Sequence, residues 1–297
     1  MKLVRFEGKG RTSIGVLSPD ERTVVALTQT ESKTGMGNGI GASMAAFLAQ
    51  GAAGLDLARQ ALASASSEAY LPLDSVRLLA PIGDPGKIMC IGQNYRDHCI
   101  EQNQPIPERA ILFSKYATAL NNPGGTIVLP RISTQVDYEA ELAVVIGGSG
   151  GGGRDIPEAD AMRHVAGYMC ANDVSARDIQ FGDKQWVRGK TFDTFFPTGP
   201  CLVTADEIAD PHALDISLTL NGQTMQTSNT SNLIFKIPYL IHYLSQVVTL
   251  LPGDIISTGT PGGVGVFRTP QVFLQPGDSV SVTVAGLGTL TSSVAAA

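Results

Sequence analysis

The stretch Asp137-Tyr138-Glu139-Ala140-Glu141-Leu142-Ala143-Val144-Val145-Ile146 constrains the fold more than any other part of the chain. Its apolar second half reads as a strand buried on both faces. Read with the two-residue period of a strand, its first half sets Asp137, Glu139 and Glu141 on one face. Carboxylates at successive positions of one buried face repel each other, and burying them unpaired is costly. A bound divalent cation relieves that repulsion. The plainer alternative is the solvated face of an edge strand, and the apolar run 143–146 argues against it.

Four further stretches carry chemistry. Asn172-Asp173-Val174-Ser175-Ala176-Arg177-Asp178-Ile179-Gln180 closes an apolar run, so Asp173 falls at a strand end, where a third carboxylate ligand can converge. The alternative there is a turn held by an Asx-type hydrogen bond. In Trp186-Val187-Arg188-Gly189-Lys190-Thr191-Phe192, Lys190 lies in an apolar, loop-like setting. A lysine desolvated in this way can stabilise an oxyanion; a surface lysine is the bland option. His98 and Glu101 are three residues apart, meet on one helical turn, and make a pair fit for general-base work. Such pairs are also common on helices without any catalytic part. Ser257-Thr258-Gly259-Thr260-Pro261-Gly262-Gly263-Val264-Gly265 is a glycine-rich turn that offers N–H groups and a hydroxyl to a carboxylate, or is a structural loop. Gly148-Ser149-Gly150-Gly151-Gly152-Gly153 fits a dinucleotide-binding pattern, but no helix opens on its glycines, and a flexible hairpin tip is the better reading.

Strands are expected at 2–6, 12–17, 23–27, 88–91, 127–129, 139–146, 166–172, 200–203, 216–220, 254–257 and 280–284, with 74–79 extended. Helices are expected near 44–48, 55–64, 157–164 and 237–245, with Gly51 and Gly54 breaking the pattern between the first two. This is a mainly β, α+β chain rather than a regular strand–helix alternation. A boundary near residue 78 divides it into a small N-terminal α/β domain, 1–78, and a catalytic domain, 79–297. With 43% hydrophobic residues, 16% charged residues and a net charge of −6 over 297 residues, disorder is excluded and nucleic-acid binding is disfavoured. Four scattered cysteines point to a reducing compartment. With neither a transmembrane run nor the apolar core of a signal peptide, a soluble cytoplasmic protein with no membrane partner is expected.

Together these motifs, which follow one another along the chain in the order of the family from about residue 88 to the end, resemble the fumarylacetoacetate hydrolase superfamily. Asp97-His98-Cys99-Ile100-Glu101-Gln102-Asn103, Phe113-Ser114-Lys115, Gly189-Lys190-Thr191-Phe192-Asp193-Thr194-Phe195 and Ser228-Asn229-Thr230 are similar to the type-2 domain-containing proteins of that superfamily. The resemblance implies a mixed β-sandwich roll and a homodimer. It implies that Glu139, Glu141 and Asp173 bind Mg2+, with Mn2+ or Ca2+ as alternatives. It assigns Lys190 to the developing enolate of a 2-oxo acid and His98 with Glu101 to a lid dyad. Arg177 and Gln180 would meet the distal end of the substrate and Thr260 its carboxylate, while Asp137 is not a ligand of the family. Three outcomes are open from one metal-stabilised enolate. They are oxaloacetate tautomerisation, decarboxylation, and C–C hydrolysis of acylpyruvate-type diketo acids. A non-catalytic metal- or carboxylate-binding protein on the same scaffold is a further alternative.

Overall fold

A computed structural model describes residues 1–27 and 43–297. The N-terminal alternation forms β1 (Lys2–Gly8), β2 (Arg11–Leu17) and β3 (Thr23–Ala26), paired antiparallel in that order. β4 (Tyr70–Pro72) adds to β3, and β5 (Arg77–Leu79) adds to β1. The expected extension from 74 is displaced by a 3-10 turn, Leu73–Ser75, ahead of β5. Two helices pack on this unit, α1 (Met44–Leu48) and α2 (Ala52–Ser64). Ser43 caps α1 by accepting from the Ala46 N–H at 3.1 Å. Gly54 is not a breaker but lies inside α2. A Cβ there would come within 3.0 Å of the Phe47 carbonyl oxygen, so glycine lets the two helices meet closely.

The remainder contributes β6 (Ile88–Gly92), β7 (Ile111–Lys115), β8 (Leu120–Asn121), β9 (Thr126–Leu129), β10 (Val136–Asp137), β11 (Ala140–Ile146), β12 (Val165–Asn172) and β13 (Ser175–Ala176). β14 (Phe196–Thr204), β15 (Asp215–Leu220), β16 (Gln223–Asn229), β17 (Ile255–Ser257), β18 (Ser279–Val284) and β19 (Gly288–Ala296) follow. Its helices are α3 (Arg96–Glu101), α4 (Arg177–Gly182), α5 (Val187–Lys190) and α6 (Ile237–Ser245). The expected helix at 157–164 is a 3-10 run, Glu158–His164.

One sheet runs β4-β3-β2-β1-β14-β12-β11-β17-β6-β7, with β5 on β1 and β8 on β14. A second runs β16-β15-β18-β19-β9. The two face each other where β11, β12 and β14 meet β15, β18 and β19. The mainly β architecture with attached helices is as expected. The expected boundary near 78 falls within β5, and the large sheet runs across it through the β1–β14 pairing.

β11 explains why its sequence is apolar at every position from 142 to 146. Leu142, Val144 and Ile146 enter the core between the sheets, whereas Ala143 and Val145 enter the core on the opposite face beside Met44 and Phe47. β7, β16 and β19 had no clear sequence signal. In β7 the polarity is inverted, with Lys115 buried and Leu112 exposed. β16 is a polar edge strand, and β19 alternates small residues with Leu290 and Val294. Among the described residues, no helix is long and apolar enough to cross a membrane.

Candidate active site and metal centre

The acidic stretch is not one continuous strand. The chain leaves the ladder at Tyr138 and Glu139, between β10 and β11. There the Glu139 N–H donates to the Asn172 side-chain oxygen at 2.9 Å, and the Asp173 N–H donates to the Glu139 carbonyl at 2.9 Å. This crossing at the end of the β11–β12 pair gathers Glu139, Glu141 and Asp173. One carboxylate oxygen from each lies within 4.8 Å of the others, and all three residues are buried. Three buried hard oxygen donors at this spacing fit a hard divalent cation. Asp137 does not join them, contrary to the shared face that strand periodicity suggests. It accepts instead from the Gly265 and Val266 N–H groups at 2.8 and 3.0 Å and from Arg177 Nε at 2.8 Å.

Buried cations answer this charge. Lys190 ends the one-turn helix α5 rather than a loop, and its Nζ donates to Glu139 Oε2 at 2.6 Å and Asp173 Oδ2 at 3.1 Å. Arg177 opens α4 and spans Asp137 and Glu139, with Nη1 2.7 Å from Glu139 Oε1. Nη1 also donates to Gln180 Oε1 at 3.0 Å. Lys115 closes the Phe113-Ser114-Lys115 motif at the end of β7. Its Nζ sits 2.6 Å from Asp173 Oδ1 and donates to the carbonyls of Val174, Lys190 and Phe195. No spacing rule could have found it, because Asp173 is distant in sequence.

The two glutamates differ in consequence. Burial would raise the Glu139 carboxyl, but Lys190, Arg177 and His98 outweigh it and hold it at about 2. Glu141 is pushed well above the usual carboxylate range by burial and by the charges of Asp173 and Glu139. The Ser257 hydroxyl and the Gly259 N–H still donate to its Oε2. Burial lowers the Lys115 ammonium. Lys190 is raised, because Asp173 and Glu139 outweigh its burial.

His98 and Glu101 meet on α3 as their spacing suggests, with Nδ1 2.6 Å from Oε1. The other Glu101 oxygen accepts from the Gly263 N–H at 2.7 Å, so the glycine-rich turn anchors the dyad. Thr260 Oγ1 accepts from Gln226 Nε2 at 2.9 Å, and Gln226 also accepts from the Ala140 N–H. A single cavity of about 120 Å³ is lined by His98, Glu139, Glu141, Arg177, Gln180, Lys190 and Thr260. Asp173 and Glu101 stand behind that wall and hold its members.

Residues 87–295 match the family described as fumarylacetoacetate (FAA) hydrolase C-terminal. The chain is 53% identical over 254 residues to "Oxaloacetate tautomerase FAHD2A, mitochondrial" of Bos taurus, covering 85% of this chain and 79% of that protein. It is 46% identical over 298 residues to "Oxaloacetate tautomerase fahd2, mitochondrial" of Xenopus laevis, covering 99% and 90%. The maleylpyruvate hydrolase from Sphingobium sp. SYK-6, solved in complex with manganese(II) and pyruvate, has a TM-score of 0.80 at 32% identity, covering 100% of this chain and 99% of that one. The expectation of a cytoplasmic protein is corrected by these findings, since both relatives are named as mitochondrial. Unpaired thiols report a reducing environment and do not distinguish one reducing compartment from another. With well over half its length matched by the family model and relatives this similar across most of it, the chain belongs to the fumarylacetoacetate hydrolase family.

Proposed function

We propose that the protein is an oxaloacetate tautomerase that works with a divalent cation, Mg2+ being the ion used. The single observation that carries this is the cavity of about 120 Å³, in which an acidic cluster, a buried lysine, a buried arginine and a histidine converge. Pockets for drug-sized ligands run to ~300–1,000 Å³, so this one suits a small acid. The naming of the bovine and frog relatives as oxaloacetate tautomerases supports the choice of acid.

Glu139, Glu141 and Asp173 would hold the cation, which when bound supplies Lewis-acid polarisation of the 2-oxo group. The chain's own residues do the rest. Arg177, with Gln180 beside it, grips the distal carboxylate, and Thr260 takes the proximal one. Enol-to-keto conversion breaks the O–H bond at C2 and forms a C–H bond at C3, with no change in composition. His98 carries that proton. Its Nδ1 is committed to Glu101, which leaves Nε2 as the exchanging atom. The Lys190 ammonium offsets the negative charge that grows on the 2-oxygen while the proton is in transit. A homodimer completes the proposal. The β7 edge of the large sheet leaves Leu112 and Tyr116 exposed beside an apolar cleft, as an interface would require.

The test is proton NMR of freshly dissolved enol oxaloacetate with the Mg2+-loaded protein. Rapid growth of the keto form without pyruvate is expected. Equally rapid pyruvate would make the protein a decarboxylase, and no acceleration of either would return the reading to hydrolysis of diketo acids.

A further inference from the structure

Phe181 and Phe267 line the same cavity and take no part in the chemistry above. Phe181 follows Gln180 on α4, so one short helix presents both the polar grip and an aromatic ring. Phe267 ends the turn Gly265–Phe267 that follows the glycine-rich loop. The two rings lie 6.4 Å apart, tilted by 43°. Phe267 also meets the His98 ring edge-on at 6.1 Å. They are 57% and 38% exposed, so each ring stands between the cavity and solvent.

The rim is rigidly mounted. The Gly265 and Val266 N–H groups both donate to the buried carboxylate of Asp137. Gly265 itself is packed so tightly that a Cβ would sit 1.8 Å from the Val272 carbonyl oxygen. A ring on such a turn does not yield easily to a longer ligand. The charged partners lie deeper, at Arg177 and Lys190, and both are buried. A longer diacid seated with its 2-oxo end on the acidic cluster would push its second carboxylate past Arg177 and against the aromatic rings. A carboxylate driven past Arg177 loses that charge-assisted contact and meets apolar ring faces in its place.

We propose that Phe181 and Phe267 form a length gate that confines this site to short 2-oxo diacids, a proposal that rests on the tautomerase reading above. Trp186 is the chain's one tryptophan and lines the cavity, so its fluorescence reports occupancy without turnover. The Mg2+-loaded protein is titrated with 2-oxoglutarate, 2-oxoadipate and 2-oxosuberate. Affinity is expected to fall at least about tenfold along the series, the scale at which a pocket discriminates chain length. In Phe267→Ala and in Phe181→Ala the fall should shrink to less than about threefold, with Phe267→Leu in between. Equal binding of all three acids by the unmodified protein, or an unchanged fall in both alanine variants, overturns the gate. A preserved length ranking without conversion of enol oxaloacetate would sink the tautomerase reading and leave the gate standing. Conversion of the enol together with a flat series would do the reverse.

Discussion

Glu139 and Glu141 are neighbours on one stretch of chain, yet their carboxyls are driven in opposite directions. Glu139 faces Lys190 and Arg177, while Glu141 faces Asp173 and Glu139 with only neutral donors at its side. The electrostatic cost of gathering the three acids therefore falls on Glu141, and a cation held by them would offset it. Glu141→Gln keeps an oxygen for Ser257 and Gly259 but removes the charge. This variant should melt higher than the unmodified protein when both are metal-free. It should bind Mn2+ at least about 100-fold more weakly. Calorimetric titration together with melting curves, with and without Mn2+, reads both effects. Undiminished Mn2+ affinity would remove Glu141 from the metal centre. The paired glutamates and the strand-end aspartate were legible from sequence because acidic residues in buried apolar runs are rare. Lys115 was not, because its significance comes from β7 pairing with β6 and from the approach of Asp173.

At the scale of elements, α6 shows how a helix end can carry a pH dependence. The Ile237 N–H at its start donates to His212 Nε2 at 3.2 Å, and His212 Nδ1 lies 3.4 Å from Asp210. The ring can accept at Nε2 only while neutral, with its proton on Nδ1 toward Asp210. Burial and the Lys236 charge lower the His212 pKa from its ordinary 6.5, against the opposing pull of Asp210. A folded-state pKa below the unfolded one means that the unfolded chain binds more protons as pH falls. The cap's contribution is thus complete above about 6.5 and is lost as pH drops from there toward the lower folded-state value. Urea denaturation between pH 7.5 and 5.5 should show a loss of about 1 kcal/mol that His212→Gln abolishes. Parallel curves for the two proteins would rule out the cap. The same scale explains the dyad. His98 and Glu101 were predictable because both lie on one helical turn, whereas the anchoring of Glu101 by Gly263 joins α3 to a loop far along the chain.

At the scale of the whole molecule, the large sheet ends at β7, with no further strand paired to it among the described residues, and a cleft of about 880 Å³ opens beside it. Leu112 and Tyr116 are 42% and 61% exposed on that edge. Met89, Trp186 and Val248 also line the cleft. Open apolar edges of this kind invite association. Light scattering coupled to size exclusion should give twice the 31.1 kDa chain mass, and Leu112→Arg should shift it toward the monomer. Because Leu112 is exposed, the substitution spares the core. A monomer at micromolar concentration in the unmodified protein would count against the homodimer.

The sequence by itself determined the mainly β class, the acidic centre and the dyad. Each is encoded locally, in the alternating acids of 137–141 that lead into the apolar β11, the apolar run that ends at Asp173, and the three-residue step from His98 to Glu101. Tertiary structure decided which acids share an oxygen cluster, because the chain leaves its ladder at Tyr138 and Glu139 and so turns Asp137 toward Arg177 and away from Glu141. It also decided the burial of Lys115, the joining of the N-terminal strands to the large sheet at β14, and the placing of Phe181 and Phe267 at one mouth. These depend on contacts between segments far apart in the chain, and no local period or spacing records such contacts.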